Sequence, residues 1–117
     1  MTEQEMLDRT KKFALRVLKL VAALPNTIAG RAIAGQLVRS GTSVASNYRA
    51  ACRGRSKAEF IAKLGIAEEE ADESCFWMEV IIEDEMMPGS KVENLLQEGG
   101  ELTRILAASK IKARQTK

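Results

Sequence analysis

Histidine is absent from the 117-residue chain. That absence excludes His-ligated metal sites, Ser–His and Cys–His nucleophile pairs, and the commonest general base. Aromatic residues are scarce, with three Phe, one Tyr and one Trp, yet 45% of residues are hydrophobic. That share suffices for a packed core and argues against disorder. Long apolar runs are missing too. The longest uncharged stretch, Leu20 to Gly30, has 11 residues and contains Pro25, too few to span a bilayer. The chain opens Met1-Thr2-Glu3-Gln4-Glu5, acidic and polar, so no secretory leader is expected. The two cysteines, Cys52 and Cys75, are 23 residues apart in apolar surroundings. They read as reduced thiols of a cytoplasmic protein, with a disulfide as the alternative. The length predicts one domain over residues 1–117. A domain this small buries a modest fraction of its surface, so association with copies of itself would help.

What is present is helical periodicity. Residues 3–24 predict a first helix, in which Leu7, Ala14 and Val21 repeat every seven, as do Thr10, Val17 and Leu24 beside them. Such a seam suits helices packed nearly parallel. A second helix over 27–53 carries Ile33, Leu37, Gly41, Val44, Tyr48 and Ala51 at intervals of three or four. The phase survives Ser40-Gly41-Thr42-Ser43, so a kinked but continuous helix is expected there, with Gly41 and Ala45 allowing close helix approach. Phe60, Leu64, Ala67, Ala71, Cys75, Met78 and Ile82 mark a third helix over 57–85. Val92, Leu95, Leu96, Leu102, Ile105 and Leu106 mark a fourth over 91–114, weakened in its middle by Gly99-Gly100. Thr2 with Glu5, Ser56 with Glu59 and Ser90 with Glu93 each match the reciprocal hydroxyl–carboxylate cap of a helix start. The fold class expected is all-α, an antiparallel up-down four-helix bundle.

A net charge of +2 conceals strong segregation. From Arg9 through Lys57 there are eleven Lys or Arg residues and no Asp or Glu. From Glu59 through Glu101 thirteen acids face two bases, Lys63 and Lys91, and the last five charges are all positive. At about 100° per residue, Arg31, Arg39, Arg49 and Arg53 fall within roughly 80° on the outer side of the second helix. Arg9, Lys12, Arg16 and Lys19 do the same on the first, within roughly 80°. Two adjacent helices thus present basic faces with no local anion in sequence, a surface that attracts phosphate backbones without reading bases. The alternative is neutralisation by the acidic third helix, with Arg39 and Arg49 the residues placed for it.

The third helix is apolar on two sides. Its core seam is complete without Ile66, Phe76, Trp77 and Val80, which project the other way and predict self-association. The carboxylates Glu68, Glu69, Glu70, Asp72 and Glu73 form a solvated face; no His joins them in a di-metal set, and they do not oppose one another across a cleft. Gly41-Thr42-Ser43 lacks the Gly-Lys-Ser/Thr and preceding strand of a phosphate loop. Tyr48 beside Arg49 could stack on a base, although its seam position favours the core. No catalytic residue, cofactor or metal is predicted, and the chain reads as a non-enzyme.

The stretch Gln36-Leu37-Val38-Arg39-Ser40-Gly41-Thr42-Ser43-Val44-Ala45-Ser46-Asn47-Tyr48-Arg49 closely resembles the bacterial four-helix-bundle family first noticed as reading frames inside intervening sequences of large-subunit ribosomal RNA. The likeness continues through Ser56-Lys57-Ala58-Glu59-Phe60-Ile61-Ala62-Lys63-Leu64-Gly65-Ile66-Ala67 and the Trp77 region, about residues 24–82. The resemblance implies antiparallel helical protomers in a ring-like homopentamer. It also implies kinship with the accessory variability proteins of diversity-generating retroelements, which bind nucleic acid through a basic surface and partner a reverse transcriptase. Arg39, Asn47 and Arg49 match the family's polar positions. Two departures stand out: Ala50 where the family usually has Glu, and Glu68-Glu69 where it favours Leu-Lys.

Together these readings predict an oligomeric nucleic-acid-binding protein, with RNA as the favoured ligand. Its phosphate contacts would come from Lys12, Arg16, Lys19, Arg31, Arg39, Arg49, Arg53, Arg55 and Lys57. The competing expectation is a protein-interaction scaffold that docks a polymerase or reverse transcriptase without touching nucleic acid.

Overall fold

The computed structural model describes residues 1–116. Four helices, α1 (Glu3–Ala22), α2 (Ile28–Cys52), α3 (Lys57–Glu83) and α4 (Glu93–Gln115), account for most of them, with a 3-10 turn at Gly89–Lys91 ahead of α4. No strand occurs among the described residues. α3 packs between α2 and α4, while α1 lies against α2 and, more sparsely, against α4. Hence α1 and α3 occupy opposite diagonals of a rod measuring 50 × 21 × 19 Å. Short connections reverse the chain at each step, giving the expected up-down bundle.

The caps explain where three helices begin. The Thr2 hydroxyl accepts from the Glu5 N–H at 3.1 Å while the Glu5 carboxylate accepts from the Thr2 N–H at 3.3 Å, a reciprocal box. Ser56 accepts from the Glu59 N–H at 3.1 Å, and Thr27 from the Gly30 N–H at 3.0 Å. Of the other two boxes expected from sequence, Ser56 with Glu59 forms only this hydroxyl half among the described residues, and Ser90 with Glu93 does not form. Ser90 lies inside the 3-10 turn, where Lys91 and Val92 donate to the carbonyls of Pro88 and Gly89, and α4 starts at Glu93 without a side-chain cap. The turn swings Val92 into the core, fully buried, and that burial outweighs one capping bond.

The core runs the length of the rod and includes Phe13, Val17, Leu37, Val44, Leu64, Met78, Ile81, Leu102 and Leu106, all fully buried. Tyr48 joins it. α2 continues unbroken through Ser40–Ser43 because each residue there has a specific place. Ser40 meets Ser74 of α3 across the interior, hydroxyl oxygens 2.9 Å apart, and the Thr42 hydroxyl donates to the Val38 carbonyl at 2.7 Å. Gly41 lets the Val17 side chain approach the α2 backbone. α4 likewise runs unbroken through Gly99-Gly100, and the missing Cβ of Gly99 makes room for the Cys75 sulfur, 2.8 Å from where that Cβ would lie. α3 ends in a Schellman turn. Glu85 takes φ 57°, its N–H donates to the Ile82 carbonyl and the Met86 N–H to the Ile81 carbonyl.

Candidate nucleic-acid interface

Helical rise and packing divide the basic residues into separate groups. Arg49, on the last turn of α2, and Arg53, which caps that helix, line a cleft together with Lys11 of α1. Arg16 and Lys19, on the α4 side of α1, line a second cleft with Lys91. Lys12 is exposed on α1 between these two groups. Arg55 and Lys57 are exposed where α2 turns into α3, close to the start of α1 and the end of α4. Arg31 stands apart. It lies 22 residues before Arg53, roughly 33 Å along the helix, and its guanidinium donates to the Asn26 side chain at 2.9 Å. Lys11 and Lys91 were missed as members of these groups. The available signal for Lys11 was its position about 100° from Lys12, toward α2.

Two basic residues of the predicted stripes are neutralised, which corrects the expectation of faces without a local anion. Arg39 pairs with Glu70 of α3 at 2.7 Å and also with Glu73, whose carboxylate accepts from the Trp77 indole N–H at 3.1 Å as well. The Trp77 hydrogen bond and the Arg39 guanidinium hold the Glu73 carboxyl below its ordinary range, and Glu73 raises Arg39 in turn. Arg9 grips Glu98 of α4 through two nitrogens, at 2.7 and 2.6 Å, and reaches Glu101 at 2.6 Å. These bonds fasten the sparsely packed α1–α4 seam and depress the Glu98 carboxyl. Arg39 is therefore a bridge between α2 and α3, while Arg49, the other candidate for such pairing, has no carboxylate within 4 Å among the described residues. Lys110 pairs with Glu68 at 2.7 Å and ties α3 to α4.

On the opposite diagonal, Phe76 is 53% and Ile66 40% exposed on the outer face of α3. Trp77 and Val80 are half-buried, and the rings of Phe76 and Trp77 meet edge-on with centroids 4.9 Å apart. α1 carries a second exposed apolar pair, Leu15 and Leu18, which the helical seam did not flag.

Both thiols are free. Burial, aided by Glu3, pushes Cys52 up to about 11, and burial next to Asp72 pushes Cys75 up to about 11. Both stay protonated and unreactive near neutrality. Among the described residues no group of three or more Cys, Asp or Glu is placed to hold a metal ion. No helix among the described residues is long and apolar enough to cross a membrane.

The fold and its charges thus define an all-α four-helix bundle with a cationic flank on its first two helices. The chain belongs to the 23S rRNA-intervening sequence protein family, whose model matches residues 2–108. It is similar to a crystal structure of a protein of unknown function from the S23 ribosomal protein family of Bacteroides thetaiotaomicron. The two share 31% identity and a TM-score of 0.84, over 94% of this chain and 98% of that one. No curated protein matches.

Proposed function

We propose that this protein is a non-enzymatic, self-associating nucleic-acid-binding protein whose ligand is RNA and whose contacts are made by the cationic flank of α1 and α2. The observation that carries this reading is selective pairing. Arg9, Arg39 and Lys110 each meet carboxylates, whereas Lys11, Lys12, Arg16, Lys19, Arg49, Arg53, Arg55 and Lys57 have none within 4 Å among the described residues. Lys63, Lys91, Arg104, Lys112 and Arg114 are unpaired too among the described residues, but the longest stretch of sequence with cations and no acid runs from Arg9 to Lys57, which leaves its unpaired cations available to something outside the chain. Phosphate is the anion that a sequence-blind cationic flank suits. The family's association with 23S rRNA intervening sequences supports RNA as the polyanion. Copies joined through the apolar faces would multiply weak contacts by effective concentration.

The test is salt dependence. About four phosphate contacts predict that raising salt from about 50 to 200 mM weakens binding of a structured RNA roughly 50- to 150-fold. Reversing Arg49 and Arg53 to Glu should weaken binding of all sequences alike, and Arg39→Gln much less. An affinity unchanged by salt would end this reading. Protein that ignores RNA at low salt but captures a polymerase or reverse transcriptase would replace it with the scaffold.

A further inference from the structure

The cleft between the first half of α1 and the last half of α2, of about 510 Å³, has an unusual lining. Lys11, Arg49 and Arg53 stand on it beside the carboxylates of Glu3 and Asp8. Elsewhere in this bundle Arg9, Arg39 and Lys110 join carboxylates directly. Here none of the three cations lies within 4 Å of either acid. Between the charges lie Gln4 and Leu7 from α1 and Thr42, Ala45, Ser46 and Cys52 from α2, and the Gln4 amide donates to Asp8 Oδ1 at 3.0 Å, leaving Asp8 Oδ2 free of that bond. The hydroxyl protons of Thr42 and Ser46 go to the backbone carbonyls of Val38 and Ser43, leaving their oxygens able to accept. The volume falls within the range of on the order of 300–1,000 Å³ typical of small-ligand sites.

A surface made only to grip a duplex backbone gains nothing from two carboxylates among its cations, because each repels phosphate. A ligand bearing phosphate at one end and N–H donors at the other satisfies both signs. We infer that this cleft receives one unpaired nucleotide of a single-stranded nucleic acid, with phosphate on Lys11, Arg49 and Arg53 and the base edge donating to Asp8 or Glu3 over the Leu7–Ala45 floor. The cleft then favours single strands over duplexes, whose base edges are already paired. It also favours guanine, whose N1–H and exocyclic amino group can meet one carboxylate in two parallel bonds, over uracil, which offers one N–H. This inference rests on the nucleic-acid reading above and adds the class of strand and base.

The experiment is fluorescence anisotropy of the full chain with a labelled single-stranded RNA of about 20 nucleotides containing unpaired guanines, beside the same RNA annealed to its complement. The single strand should bind at least about fivefold tighter than the duplex, the low end of what one bidentate base contact confers. Ala45→Leu fills the cleft without changing charge, and should weaken single-strand binding more than duplex binding, so that the preference is lost. Asp8→Asn, at an exposed position, supplies an independent readout: single-strand affinity should fall while duplex affinity holds or rises, because a repulsive charge has gone. Equal binding of the two RNA forms by the unaltered protein, or Asp8→Asn shifting both in the same direction, overturns the inference and leaves the cationic-flank reading standing. Failure of both RNA forms to bind at low salt overturns that reading itself.

Discussion

Gly41 of α2 and Val17 of α1 touch so closely that a Cβ on the glycine would lie 2.8 Å from Val17 Cγ2 and 2.9 Å from Cγ1. Val17 is fully buried and β-branched, so it has little freedom to yield. Gly41→Ala gains about 1 kcal/mol of helix propensity but loses more to overpacking, for a net destabilisation of about 1–2 kcal/mol and a Tm roughly 4–8 °C lower. Gly35, on the same helix, meets nothing within 4 Å, so Gly35→Ala should raise Tm instead. Thermal unfolding followed by circular dichroism checks both signs.

Glu85 supplies a third stability test. Its φ of 57° places an L-residue in the left-handed region at the point where the α3 terminus most often carries glycine. Relieving that conformation with Glu85→Gly, after allowing for the greater entropy of unfolded glycine, should stabilise by about 0.5–1 kcal/mol. Glu85→Ala should give no comparable gain, which separates backbone strain from loss of the carboxylate.

The hydrophobic spacing made the four helices legible because burial of one face dictates where apolar residues recur, and the phase through Ser40–Ser43 was enough to keep α2 whole. The hydroxyl caps at Thr2 and Ser56 were legible for the same local reason, although only Thr2 with Glu5 closes the reciprocal box. Ser90 was not, since its fate depends on Val92 being drawn into a core made by other helices. The candidate interface was legible as an inventory of cations but not as a surface. Periodicity places Arg39 and Arg49 on nearly one side of α2, yet one faces the α3 carboxylates and the other the α1 cleft. Tertiary contacts between helices decide which charges remain unpaired, and spacing within one helix does not contain them.

Arg9 predicts a pH dependence with a definite direction. Hydrogen bonding to Arg9 holds the Glu98 carboxyl below its ordinary value of 4.5, with Glu101 and Arg16 acting in the same sense. A carboxyl depressed on folding stabilises the folded state fully above its unfolded value, and that contribution drains away as pH falls through the folded one. Stability should therefore decline from about pH 5 downward, with Glu73 on α3 contributing a parallel share through Trp77 and Arg39. Arg9→Gln should lower Tm at pH 6 and lessen the further loss between pH 6 and 3.5. Wild-type and variant curves that stay parallel across this interval would show that the α1–α4 bridge is not the titrating element.

Self-association makes the most demanding prediction, because the two exposed apolar faces lie on different helices. Phe76 on α3 and Leu15 on α1 are 53% and 54% exposed and sit on opposite diagonals of the bundle. α1 and α3 run in the same direction, so the outer apolar strip of α3 in one copy can lie along the Leu15–Leu18 strip of α1 in the next without reversing either rod. Such a head-to-tail contact uses two different patches, and repetition closes into a ring when the rotation permits. Phe76→Ser and Leu15→Ser should each reduce the assembly to single chains of 12.9 kDa by light scattering, with Tm little changed because both positions are exposed. Each variant keeps the face that the other has lost. An equimolar mixture should therefore form a one-to-one dimer and stop there, since the two remaining faces are both damaged. A mixture that stays monomeric, or variants that retain the parent mass, would show that copies meet through some other surface.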